Sequence, residues 1–165
     1  MTDLLAYAAS LPLAAVPAGE VLLAEGAPPG RMYVLASGSV QIERDGVAFA
    51  RITAPGAVFG EMSFVLDRAA TATVRATTDA QVHVVDDPAA FLSDNPGAAL
   101  EVLRTTAARL DGLTQYLVDV KAQYAGQAAE GHLGMVDQIL DTLVHHQAPT
   151  ARTGSARDPE GDHDH

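Results

Sequence analysis

The feature that most narrows the fold is a change in the period of the hydrophobic pattern at Asp87. Before it, residues 16 to 86 are rich in Val, Thr and Gly, and glycines at 19, 26, 30, 38, 46, 56 and 60 cut the stretch into short pieces. Short strands joined by turns fit such a segment. Val40 and Ile42 alternate with Ser39, Gln41 and Glu43, and Ala72, Val74 and Ala76 alternate with Thr71, Thr73, Arg75 and Thr77. A period of two puts each set on one face of a half-buried strand. Asp45-Gly46, between two such runs, predicts a type I′ hairpin, because both central residues have to accept a positive φ. Six to eight strands of this size make a small sandwich or roll.

From Asp87 onward the period is helical. Asp87-Pro88 supplies a cap and a first helical residue for a short helix through Phe91 and Leu92, and Asn95-Pro96 repeats that grammar for a longer one. In the long helix Leu103, Leu110, Leu117 and Tyr124 recur every seven residues, with Leu113 and Val120 three places after two of them. This partial heptad seam predicts a partner helix and a homodimer. The same stripe also fits a helix lying on its own β-domain. After an interruption from Gly126 to Gly131, a second amphipathic helix carries Leu133, Val136, Leu140, Leu143 and Val144 on one face. The division expected is a β-domain with its long helix over 1–125, the additional helix over 126–147, and a tail over 148–165 that holds no periodic apolar residue and is read as disordered.

Charge and composition exclude several functions. The chain has 165 residues, enough for one domain with an extension but not for two full ones. Ten basic against twenty-one acidic side chains give a net charge of −11, which repels nucleic-acid backbones and anionic lipid. Of the hydrophobic residues 31 are Ala, so Leu, Val and Ile have to build the core. The absence of cysteine rules out disulfides, thiolate metal sites and a cysteine nucleophile. The apolar stretch from Leu4 to Val16 lacks the basic flank of an export signal, since the first basic residue is Arg31. A cytoplasmic protein without membrane spans is the expectation. No metal site is expected either: a cupin-type barrel needs several converging histidines, and His83 is the only one before residue 132.

Phe59-Gly60-Glu61-Met62-Ser63 is the stretch with the most chemistry. Glycine lets a ligand approach the main chain, successive amides cradle an anion, and a carboxylate accepts from sugar hydroxyls. On residue types alone an ordinary tight turn with a solvated Glu is the better reading. Further along come Ala72-Thr73-Val74-Arg75-Ala76 and Thr78-Asp79. Upstream lie Gly19, Glu25-Gly26, Tyr33-Val34-Leu35, Gly38-Ser39-Val40 and Pro55-Gly56.

In this order the landmarks resemble the cyclic nucleotide-binding domain family over roughly residues 10 to 125. The resemblance implies a mainly β fold with flanking helices: an eight-stranded antiparallel β-roll, jelly-roll-like, followed by C-terminal helices, the long one acting as lid or dimer contact. It implies that Glu61 holds the ribose 2′-hydroxyl, that Gly60 and Met62 offer amides beside it, with Ser63 in the same cassette, and that Thr71 contacts the phosphate through its amide. The family's phosphate-pairing arginine falls, without a gap, on Ala70; Arg68 stands two residues early and either reaches in from the loop or stays a solvated charge. A charge-assisted contact of that kind contributes about 1.5 to 3 kcal/mol.

Two functions follow. The first is a non-enzymatic regulatory module that senses cyclic AMP, cyclic GMP or a related ligand, needs no cofactor, and signals through a protein partner. The second is a dimerisation or docking adaptor that has lost nucleotide binding, as Ala70 suggests. The family's transcription regulators append a helix-turn-helix; the forty or so residues past Tyr124 carry two arginines and no lysine, so direct DNA binding is not expected.

Overall fold

Asp45 and Gly46 have φ of 51° and 76° and close a two-residue hairpin between β4 (Val40–Arg44) and β5 (Val47–Ile52), as the Asp-Gly pair predicts. The structure is a computed structural model that describes residues 4–125 and 130–145. The chain divides into two units, Met1–Arg109 and Leu110–His165.

The first unit holds the eight strands. In chain order they are β1 (Leu13–Val16), β2 (Val21–Leu23), β3 (Met32–Ser37), β4, β5, β6 (Val58–Phe59), β7 (Thr73–Ala76) and β8 (Ala80–Val85). They pair antiparallel in two four-stranded sheets, ordered β1-β8-β3-β6 and β2-β7-β4-β5. This is the antiparallel β-roll with helices that the family resemblance implies. The helices are α1 (Leu4–Ala8), α2 (Glu61–Val65), α3 (Pro88–Asp94) and the start of α4 (Pro96–Tyr124).

Period two explains how one sheet is buried on both faces. In β3, Met32 and Val34 join Leu4, Ala8, Val85, Phe91, Ala98 and Val102 in a cluster beneath the helices. The alternate Tyr33 and Leu35 point the other way and pack with Val40, Phe59, Val74 and Val82 between the sheets. Val58 and Phe59 of β6 divide between the same two clusters. A fully buried position such as Leu35 costs about 2–5 kcal/mol when truncated to Ala.

The Asp87 end follows the expected grammar, whereas the Asn95 side chain turns back to α3 instead of capping α4. The Asp87 side chain accepts from the Ala90 amide at 3.0 Å, and Pro88 opens α3. Asn95 ends α3, its amide side chain donating to the Phe91 carbonyl at 2.9 Å, and Pro96 opens α4. Two helices have no counterpart in the sequence reading. In α1, Leu4 and Ala8 are fully buried, so the stretch weighed as an export signal is a core element. The other is α2, which stands where a turn was read. In β8, His83 alternates with buried Val82, and its Nδ1 lies 3.2 Å from the Leu11 carbonyl.

The second unit contains α4 from Leu110 onward and α5 (Glu130–His145). Within it Lys121 Nζ donates to Asp137. No helix among the described residues is long and apolar enough to cross a membrane. The tail over 148–165 lies outside the described residues.

Candidate functional site

At the end of β6 the chain reverses through Gly60 into α2. Gly60 is left-handed, at φ 85° and ψ −6°. A Cβ at that position would also stand 2.5 Å from the Arg31 carbonyl oxygen. Two independent constraints therefore select glycine, before any ligand is considered. Glu61 follows as the first residue of α2, whose N-terminal amides have no side-chain cap. A carboxylate there suits the positive end of the helix.

Gly60, Glu61, Met62 and Ser63 line a cavity of 430 Å³. The wall opposite is apolar, with Leu23, Ile42, Phe49, Ile52 and Val74 from the β2-β7-β4-β5 sheet. Ala70, Thr71 and Ala72 also line it, in the segment entering β7. The volume is that of a small-molecule site, within the range of about 300–1,000 Å³.

Glu61 is 4% exposed, and a carboxylate so buried needs a partner. It has one in Arg109 of α4, whose Nη1 donates to Glu61 Oε1 at 2.5 Å and whose Nη2 donates to the Val58 carbonyl at 3.2 Å. The Arg109 side chain is 42% exposed and lines the same cavity. Sequence reading missed this residue. The signal was a helical one: Ala98 and Val102 are buried, Thr106 is half-buried, and Arg109 continues their stripe at four, eight and eleven places after Ala98. A charge that prolongs a buried stripe needs a buried counter-charge.

The other candidate residues separate by role. The Ser63 hydroxyl donates to the Arg68 carbonyl at 2.6 Å, and the Arg68 amide donates back to the Ser63 carbonyl at 3.1 Å, so Ser63 closes the loop after α2. Arg68 is exposed and is not among the residues lining the cavity. Ala70 is 6% exposed, its amide donating to Ala27 and its carbonyl accepting from Gly26, at 2.8 and 2.7 Å. That pairing pins the segment and leaves a methyl facing the cavity. The Thr71 amide has no acceptor among the described residues. Met62 is exposed at the rim.

Along α4, Leu103, Leu110, Leu113 and Tyr124 are exposed, and Leu117 and Val120 are half-buried.

The cavity thus combines one carboxylate, one guanidinium, amides without a side-chain cap and an apolar wall. Residues 13–91 match the family model of the cyclic nucleotide-binding domain. Over 69 residues, 42% of this chain, the sequence is 38% identical to the cGMP-dependent protein kinase egl-4 of Caenorhabditis elegans, covering 9% of that protein. Over 110 residues, 63% of the chain, it is 31% identical to the CRP-like cAMP-activated global transcriptional regulator of Mycobacterium tuberculosis, covering 49% of it. The chain therefore spans half or less of these curated relatives. Among solved structures, the Thermus thermophilus catabolite activator protein aligns at a TM-score of 0.59 and 20% identity, over 86% of this chain and 79% of that one. A cyclic nucleotide-binding domain from Methylobacillus flagellatus aligns at 0.56 and 21%, over 65% and 66%. At these identities the likeness to the solved structures is one of fold.

Proposed function

Residues 13–91 belong to the cyclic nucleotide-binding domain family, and from that premise we propose that the chain is a regulatory module that senses a cyclic nucleotide and signals through a protein partner. The observation that carries the reading is buried Glu61, the first residue of α2, on the wall of a 430 Å³ cavity. Its carboxylate accepts the ribose 2′-hydroxyl, the uncapped amides beside it take the anion's near side, and the apolar wall receives the base. The role proposed for the module is binding, not catalysis. Of the relatives, one is named as cAMP-activated and one as cGMP-dependent, and both cyclic AMP and cyclic GMP are candidates. The module works in the cytoplasm as a homodimer, joined along the exposed leucines of α4.

Calorimetry with cyclic AMP and cyclic GMP tests the reading. Saturable micromolar binding that disappears in Glu61→Ala is expected. No heat up to millimolar nucleotide would overturn it and leave the second reading, an adaptor without a ligand. The methyl of Ala70 in the cavity, with Arg68 exposed outside it, is what favours that second reading.

A further inference from the structure

The cavity lining contains one acidic side chain, Glu61, and one basic side chain, Arg109, among the described residues, so its formal charge is zero. The position before Thr71 carries a methyl, and Arg68 lies outside. Any negative charge brought in by a ligand has a single side-chain cation available, and it comes from α4. We propose that Arg109 is the anion-binding group of this cavity. With a ligand bound, its guanidinium holds the ligand's negative group while a ligand hydroxyl donates to Glu61. The inference rests on the proposed nucleotide site and adds to it the residue that decides which nucleotides are held.

The donor arithmetic supports the assignment. A guanidinium has five N–H donors in a planar fork. In Arg109 one goes to Glu61 and one to the Val58 carbonyl. Three are left for an incoming anion, and the side chain is 42% exposed, so the approach is open. The Thr71 amide, without an acceptor, lines the same cavity and offers a further donor. The constraint on the ligand comes from Glu61. Glu61 is 4% exposed, and a buried carboxylate left unpaired is strongly disfavoured. A ligand that satisfies both groups carries an anion for Arg109 and a hydroxyl donor for Glu61. A ribose cyclic phosphate carries both. Because Arg109 belongs to α4, the ligand's anion is held by that helix itself.

The test compares cyclic AMP with adenosine, which keeps the base and the ribose hydroxyls but has no phosphate. Both are titrated calorimetrically into the full chain as wild type, Arg109→Gln and Arg109→Lys. Arg109→Gln is expected to weaken cyclic AMP by about tenfold to a hundredfold while adenosine shifts by less than about threefold, with Arg109→Lys in between because it keeps the charge and loses the fork. Equal weakening of both ligands would make Arg109 a structural residue only, and unchanged cyclic AMP binding would remove it from the site; either result overturns this inference and leaves the proposed function intact. A wild-type chain silent to cyclic AMP, cyclic GMP and adenosine overturns the two together. If Arg109→Gln does not fold, Arg109→Lys decides: cyclic AMP and adenosine weakened by the same factor would overturn the assignment.

Discussion

The carbonyl oxygen of Arg31 lies where a side chain on Gly60 would have to be, 2.5 Å from an ideal Cβ. Residue 60 also has a φ of 85°. The turn that delivers Glu61 to the cavity is thus held by two restrictions on one residue. Gly46 shares only the first kind, with a φ of 76° and nothing within 4 Å of its Cβ. Left-handed backbone costs a residue with a side chain about 1–2 kcal/mol. Gly46→Ala is expected to lose about that much in urea unfolding, and Gly60→Ala clearly more, because Arg31 has to move. Equal losses would mean that the close approach relaxes without cost.

Ala70 is the position where a gain of binding is expected. Its backbone is already held by Gly26 and Ala27, and its methyl faces a 430 Å³ cavity. Ala70→Arg places a second guanidinium beside the uncommitted Thr71 amide. A charge-assisted contact of about 1.5–3 kcal/mol raises cyclic-nucleotide affinity by roughly tenfold to a hundredfold. An unchanged calorimetric titration would show that residue 70 does not face the phosphate.

How far the sequence discloses such a site depends on whether the information is local. The Asp45-Gly46 hairpin, the Asp87 cap and the Asn95-Pro96 helix opening are written in two adjacent residues each, and all are legible because a positive φ or a cap requires particular residue types. The two-faced burial of β3 follows from alternation, though not which face meets helices: that depends on α1, a five-residue helix too short to show a period. The Glu61–Arg109 pair joins residues 48 apart: the stripe on α4 points to Arg109, but no local pattern names Glu61 as its partner. For the same reason the role of Ser63 is visible only in the fold, where its hydroxyl meets the Arg68 carbonyl.

Glu43 predicts how stability responds to acid. Its Oε1 accepts from Gln41 Nε2 at 2.6 Å and from Arg75 Nε at 3.0 Å. The Gln41 hydrogen bond first, and then Arg75, hold its carboxyl below the ordinary value of 4.5. A carboxyl lowered in the folded state stabilises the fold above its ordinary value, and that contribution is lost as pH falls through the lower, folded one. The stability difference between wild type and Glu43→Gln is therefore expected to be present at neutral pH and to shrink below about pH 4. Urea midpoints for both proteins across that range check it, and a difference that stays constant into acid would assign the effect to packing.

The exposed leucines of α4 give the last prediction. Leu103, Leu110 and Leu113 are 63%, 47% and 48% exposed, at positions where a globular helix ordinarily hides apolar side chains. Their spacing of seven and three is that of a two-helix seam, and knobs at those positions need a facing helix. Leu110→Asp with Leu117→Asp puts two carboxylates on that seam, opposite their own copies in a symmetric pair. Like charges facing each other across a seam oppose association, whereas a helix end in solvent tolerates them. Light scattering is expected to give a dimer for wild type and a monomer for the double variant, with the circular dichroism of the β-roll unchanged. A double variant that remains dimeric would place the contact on another surface.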